Sequence, residues 1–136
     1  MRIDVSFPGG LRVDAALRGF TIHTDQPRPA GGEDSAPTPF ELFLASLATC
    51  AGIYMLGFLR QRHLDTEQAG VTMSLERDRE TGMVGFVELE LHVPPEFPQK
   101  YAAALVRAVE LCAVKKHLHQ PPEISVKVVG GQGDVN

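Results

Sequence analysis

The sequence predicts an α+β fold of order βββ-α-ββ-α-β, with two antiparallel strand clusters around one long central helix. Three observations carry this. Thr38 to His63 is the longest apolar stretch in the chain. Residues 2–24 and 70–93 alternate apolar and polar positions in short runs divided by turns, and residues 98–119 place apolar side chains at helical spacing.

Taken in order, RIDVSF at 2–7 puts Ile3, Val5 and Phe7 on one side of a strand. Pro8-Gly9-Gly10 turns the chain, Leu11 to Leu17 forms a second strand, Arg18-Gly19 turns it again, and Phe20 to Thr24 forms a third. Residues 25–36 (DQPRPAGGEDSA) are a Pro-, Gly- and acid-rich loop, about as long as a compact domain carries without a purpose. The central helix then opens with Thr38, Pro39 and Glu41. A threonine with glutamate three residues later is a capping box, and proline suits the first helical position.

After that helix, Val71, Met73 and Leu75 alternate inward. A turn at Glu80-Thr81-Gly82 returns the chain through Val87, Leu89 and Leu91, with Glu76, Glu88 and Glu90 on the wet side. Pro98 opens a second helix expected to run unbroken to about His119, with Tyr101, Leu105, Ala108, Val109 and Cys112 on one stripe. Lys115, Lys116, His117 and His119 gather at its C-terminal end, where the helix dipole favours positive charge. Pro121-Pro122 stops it, Ile124, Val126 and Val128 mark a final strand, and the tail 130–136 is expected to fray.

From Phe40 to Leu59 the central helix is apolar or small on every side, so every face needs cover. Its length also matches the roughly 20 apolar residues that span a bilayer. A lone span flanked by amphipathic strands is better read as a buried helix, and no membrane is expected. One chain with short strands has too little to cover it, so an obligate homodimer with these helices near the interface is expected.

At 136 residues the chain reads as one domain, 1–136. Thirteen basic against seventeen acidic residues give a formal charge of −4, which argues against nucleic acid as a partner. MRIDVSFPGG has no apolar leader, and two cysteines make no disulfide framework, so a reducing cytoplasm is the expected location.

Chemistry centres on Cys50, flanked by Ala45, Ser46, Ala48, Thr49, Ala51 and Gly52, all small. It lies too deep in its helix for the N-terminal dipole to help, so an activated thiolate needs a nearby cation. Gly52 and Gly57 each cost about 1 kcal/mol relative to alanine, which close packing or access would explain. The bland reading of both cysteines is small buried filler. Facing helices could bring Cys50 and Cys112 within disulfide distance. Arg12 and Arg18 are arginines that, turned inward against a thiol, would lower its pKa. Glu41 reads as a helix cap, with an orienting role as the alternative, and Glu33 and Asp34 as solvated unless the loop folds over a pocket. The cysteines are 62 positions apart with no CxxC or HxxxH pair, which disfavours a metal. No P-loop, GxSxG or dinucleotide fingerprint is present.

Together, GGEDSAPTPFELF, ASLATCAG and ELCAV, with the spacing between the cysteines, resemble the OsmC/Ohr family of thiol-dependent peroxide reductases across nearly the whole chain. The resemblance implies an intertwined homodimer, two sheets wrapped around paired central helices, and a site at each subunit interface. It implies that Cys50 is the peroxidatic thiolate and Cys112 the resolving thiol, closing a disulfide that a small, lipoyl-type dithiol reduces. No metal, haem, flavin or other cofactor is implied. The substrate would be a small organic hydroperoxide. Arg12, in GGLRV, best matches the activating arginine, with Arg18 the fallback. Two departures stand out. Phe40 occupies the position of the glutamate that orients that arginine, so Glu41 is not a direct match, and Ala113 replaces a proline after the resolving cysteine. The chain looks closer to the YhfA-like branch. The alternatives are a non-catalytic small-ligand-binding protein of the same shape, or a slow redox sensor.

Overall fold

The structure, a computed structural model, describes residues 1–131. Three strands open the chain: β1 (Asp4–Gly9), β2 (Arg12–Leu17) and β3 (Phe20–Thr24), an antiparallel sheet in that order. The β2–β3 turn places Arg18 and Gly19 at φ 48 and 85, the two left-handed residues that a tight hairpin of matching twist requires. Registers set Val5 opposite Ala15 and Ala15 opposite Ile22, so one face of the sheet is apolar. The other face carries Asp14 and His23, directly opposed and paired at 2.9 Å. The apolar face is uncovered within the chain: Phe7 and Phe20 are 81% and 63% exposed.

Helix α1 (Pro39–Gln61) follows a loop and is entered as expected. The Thr38 amide donates to Glu41 Oε2 at 2.8 Å, and the Glu41 amide donates to Thr38 Oγ1 at 3.2 Å, which closes the capping box. The helix is long and apolar enough to cross a membrane by length and composition. One stripe of it, including Ala51, Met55, Phe58 and Leu59, packs on Leu105 and Val109 to form the core. The opposite stripe is open: Ile53 is 59% exposed, and a Cβ added at Gly52 or Gly57 would meet nothing. Neither glycine is therefore explained by packing inside one chain.

Strands β4 (Gly70–Arg77) and β5 (Val84–His92) form the second sheet. Val71–Leu91, Met73–Leu89 and Leu75–Val87 are direct cross-strand partners, the pairing their alternation predicts. The Asp78 carboxylate accepts from the Glu80 and Thr81 amides and the Thr81 hydroxyl, fixing the turn and holding its pKa below the ordinary carboxylate value.

Two expectations are corrected. The second helix is not continuous: after a 3-10 turn at Gln99–Tyr101 come α2 (Ala102–Val109) and α3 (Ala113–His119), with Cys112 at the break between them. No proline or glycine marks the break. It lets Cys112 turn into the protein, where it is 1% exposed. The final strand is not formed among the described residues. Residues 121–130 have no regular structure, and Ile124 and Val126 are 82% and 93% exposed, because no strand among the described residues pairs with them. Of the tail 130–136, residues 132–136 lie outside the described residues.

Candidate functional site

Cys50 and Cys112 meet where α1 crosses the α2–α3 break. Helix α1 presents Cys50 half-buried, one residue before the fully buried Ala51. The break presents Cys112 as the residue that starts α3: the Lys116 amide donates to the Cys112 carbonyl at 3.0 Å. The Ala113, Val114 and Lys115 amides at the start of α3 have no partner within that helix, and they face the two sulfurs.

These surroundings separate the two thiols. Burial pushes Cys50 up, but hydrogen bonds from the Cys112 thiol and the Val114 and Ala113 amides outweigh it, so Cys50 is held below the ordinary thiol value. Burial pushes Cys112 up, and so do its hydrogen bond to Cys50 and the negative charge Cys50 acquires; the Lys115 and Val114 amides only partly oppose this. The opposite shifts mean that when the pair loses one proton the charge is favoured on Cys50, with Cys112 left as the thiol. That is the state needed for a nucleophile beside a resolving partner.

The other candidates lie elsewhere. Arg12 is exposed on β2, its Nε donating to the Gly9 carbonyl at 3.4 Å, and it shares a cavity of ≈ 170 Å³ with Asp25 and Gly31 to Glu33. Arg18 lies over the Phe20 ring at 5.7 Å. Neither guanidinium is among the groups acting on Cys50 within the chain. Glu41 is engaged in the capping box, and Arg77 stands 5.6 Å from the Phe40 ring centroid.

One organising residue escaped the sequence reading. Asp25 is buried, and its carboxylate accepts from the Gln26, Glu33 and Ser35 amides and from the Ser35 hydroxyl at 2.6 Å. Led by the Ser35 hydroxyl, these bonds hold its pKa down to about 2 despite burial. They close the loop that carries the chain from β3 to α1. Gly32 completes the closure, since a Cβ there would sit 1.9 Å from the Gln26 carbonyl oxygen. An aspartate heading a turn-rich loop is the one signal that could have flagged it.

An apolar groove of ≈ 920 Å³ runs between β5, α2 and α3, past Phe86, Leu89, Leu105 and Val109. Among the described residues, no group of three or more His, Cys, Asp or Glu is placed to hold a metal ion.

The chain is thus an α+β fold in which a half-buried cysteine of the long apolar helix meets a buried cysteine at a helix break. The family model described as OsmC-like protein matches residues 32–127, and the chain belongs to that family. No curated protein matches the sequence. Among solved structures, an osmotic stress induced and detoxification response protein from Psychrobacter arcticus is similar in fold, with TM-score 0.71, 22% identity and coverage of 84% of this chain and 85% of that one. The organic hydroperoxide resistance protein OsmC from Legionella pneumophila gives TM-score 0.58, 26% identity and coverage of 87% and 89%. An organic hydroperoxide resistance protein from Elizabethkingia anophelis, with thiocyanate bound, gives TM-score 0.58, 20% identity and coverage of 89% and 90%.

Proposed function

We propose that this protein is a cysteine-based peroxidase that reduces organic hydroperoxides to alcohols, in the cytoplasm and as a homodimer. The observation that carries the reading is the polarised thiol pair, a lowered Cys50 against a raised Cys112. The Cys50 thiolate attacks the distal oxygen of ROOH, the O–O bond breaks, and the alkoxide leaves as ROH after taking a proton. Cys50 is left as a sulfenic acid. The Cys112 sulfur then attacks the Cys50 sulfur, water leaves, and a disulfide forms. A small external dithiol, of lipoyl type, returns both thiols by exchange. The hydroperoxide resistance named for two of the similar structures supports the substrate class.

Dimerisation is supported by surface area. The chain exposes 10660 Å², against about 7,000 Å² for a compact monomer of its mass. The apolar face of the first sheet, the open stripe of α1 and segment 121–130 are exposed, and a second copy would cover them. We therefore read α1 as the core of a two-chain assembly rather than a membrane span. Arg12, or Arg18 in its place, is the candidate to bring a guanidinium to Cys50 from the partner copy, with Glu41 an orienting group at the head of the helix.

The second reading is a non-catalytic protein that binds a small apolar ligand or senses redox state. The groove along β5 favours it, because neither cysteine lines that groove. Intact mass after one equivalent of cumene hydroperoxide separates the two. Peroxidase chemistry removes two hydrogens from wild type and leaves a trappable sulfenic acid in Cys112→Ser. Unchanged masses would favour the binding protein.

A further inference from the structure

Cys112 stands within a span whose two ends are tied together. Lys115 Nζ donates to the Glu110 carboxylate at 2.5 Å. Glu110 caps the C-terminal end of α2 and Lys115 lies in the first turn of α3, so the ion pair bridges the break that carries Cys112. A carboxylate is disfavoured at the C-terminal end of a helix, so α2 alone gives no reason for a glutamate there. The pairing with Lys115 does. The Lys115 side chain is only 27% exposed, so the bridge is partly shielded from solvent. The two sulfurs respond to burial, to amides and to each other. What the ion pair controls is the shape of the break.

We propose that the Glu110–Lys115 ion pair is a positioning device for the second thiol, holding the α2–α3 break closed so that Cys112 Sγ stays against Cys50 Sγ and the disulfide closes quickly. The proposal rests on reading the two cysteines as a reacting pair. In the closing step the Cys112 sulfur bonds to the Cys50 sulfur and displaces whatever group Cys50 carries. From a sulfenic acid, hydroxide leaves as water with the Cys112 proton. From a mixed disulfide with Ellman's reagent, thionitrobenzoate leaves and the proton goes to solvent. Alignment alone governs much of the rate of such an intramolecular step.

The test uses the reduced full chain mixed with Ellman's reagent in a stopped-flow instrument. A first, second-order release of thionitrobenzoate reports Cys50, and a second, first-order release reports closure by Cys112. Glu110→Gln and Lys115→Met should each slow the second release about tenfold, short of the roughly hundredfold that a 1 Å misplacement can cost. The first release and the unfolding midpoint should stay near wild type. Lys115→Arg should restore closure, and added salt should slow closure in wild type but not in the variants. An unchanged second release in both variants would overturn the proposal, as would a slowing of both phases together with a lower unfolding midpoint. Cumene hydroperoxide consumption, run in parallel, tests the peroxidase reading separately. Slowed closure in the variants of a protein that consumes no peroxide would retain the ion pair's role and reject the enzyme.

Discussion

Cys112 faces Cys50 from a break between two helices rather than from a helix face, and the two thiols shift each other in opposite directions, Cys50 down and Cys112 up. The break frees three successive amides, and these stabilise negative charge on sulfur without any cationic side chain from the same chain. Cys50 is thus more acidic than an ordinary thiol before a second copy contributes anything.

Alkylation against pH tests this directly. Cys50 should label with iodoacetamide at a midpoint below that of a free thiol, and Cys112 above it, in line with the opposite shifts of the two groups. Cys112→Ala removes the thiol donor, so the Cys50 midpoint should rise. A midpoint that stays put would deny the hydrogen bond its role.

The capping box at the head of α1 separates structure from chemistry. Thr38→Ala should cost about 1 kcal/mol in urea unfolding. Glu41→Gln keeps an acceptor for the Thr38 amide and should be nearly neutral in stability. If Glu41 only caps, this variant also consumes peroxide at the wild-type rate. A large loss of rate at unchanged stability would place Glu41 at the reacting centre.

Asp25 gives stability a defined acid limit. Its folded pKa, about 2, is below the ordinary 3.8, so its contribution is complete above about pH 4 and is lost as pH falls toward 2. Asp25→Asn should be less stable than wild type at neutral pH. The difference should shrink through that window in pH-resolved denaturant melts.

The open stripe of α1 tests assembly. Sedimentation should give twice the mass of one chain, and Ile53→Glu should dissociate the protein or destabilise it strongly. On a monomer with Ile53 59% exposed, the same change should fall within about 0.5 kcal/mol of wild type.

What could be read from sequence was local or periodic. The capping box needs four adjacent residues, and the β4–β5 register follows from alternation on both strands, so Thr38–Glu41 and Val71–Leu91 were legible. The break at Cys112 was not, because ELCAVKK has unbroken helical propensity, and the turn is set by burying a sulfur against another helix. Asp25 was missed because its partners are the amides of Glu33 and Ser35, brought near only once the loop is closed. The alternation of Ile124, Val126 and Val128 was visible, but alternation does not say which strand, or which chain, supplies the pairing.

The position of Cys112 also governs how oxidation and folding are linked. A bond between Cys50 and Cys112 would close a loop across 62 positions of sequence. In the chain-entropy account, a loop of that size restrains the unfolded chain by up to about 4 kcal/mol. By the same cycle, the folded protein favours the disulfide over the dithiol by that amount relative to the unfolded chain, equivalent to roughly 90 mV on the couple. The melting temperature therefore reports redox state. The oxidised protein should outlast the reduced one on heating, and the margin measures how far native packing at the break admits the bond without strain.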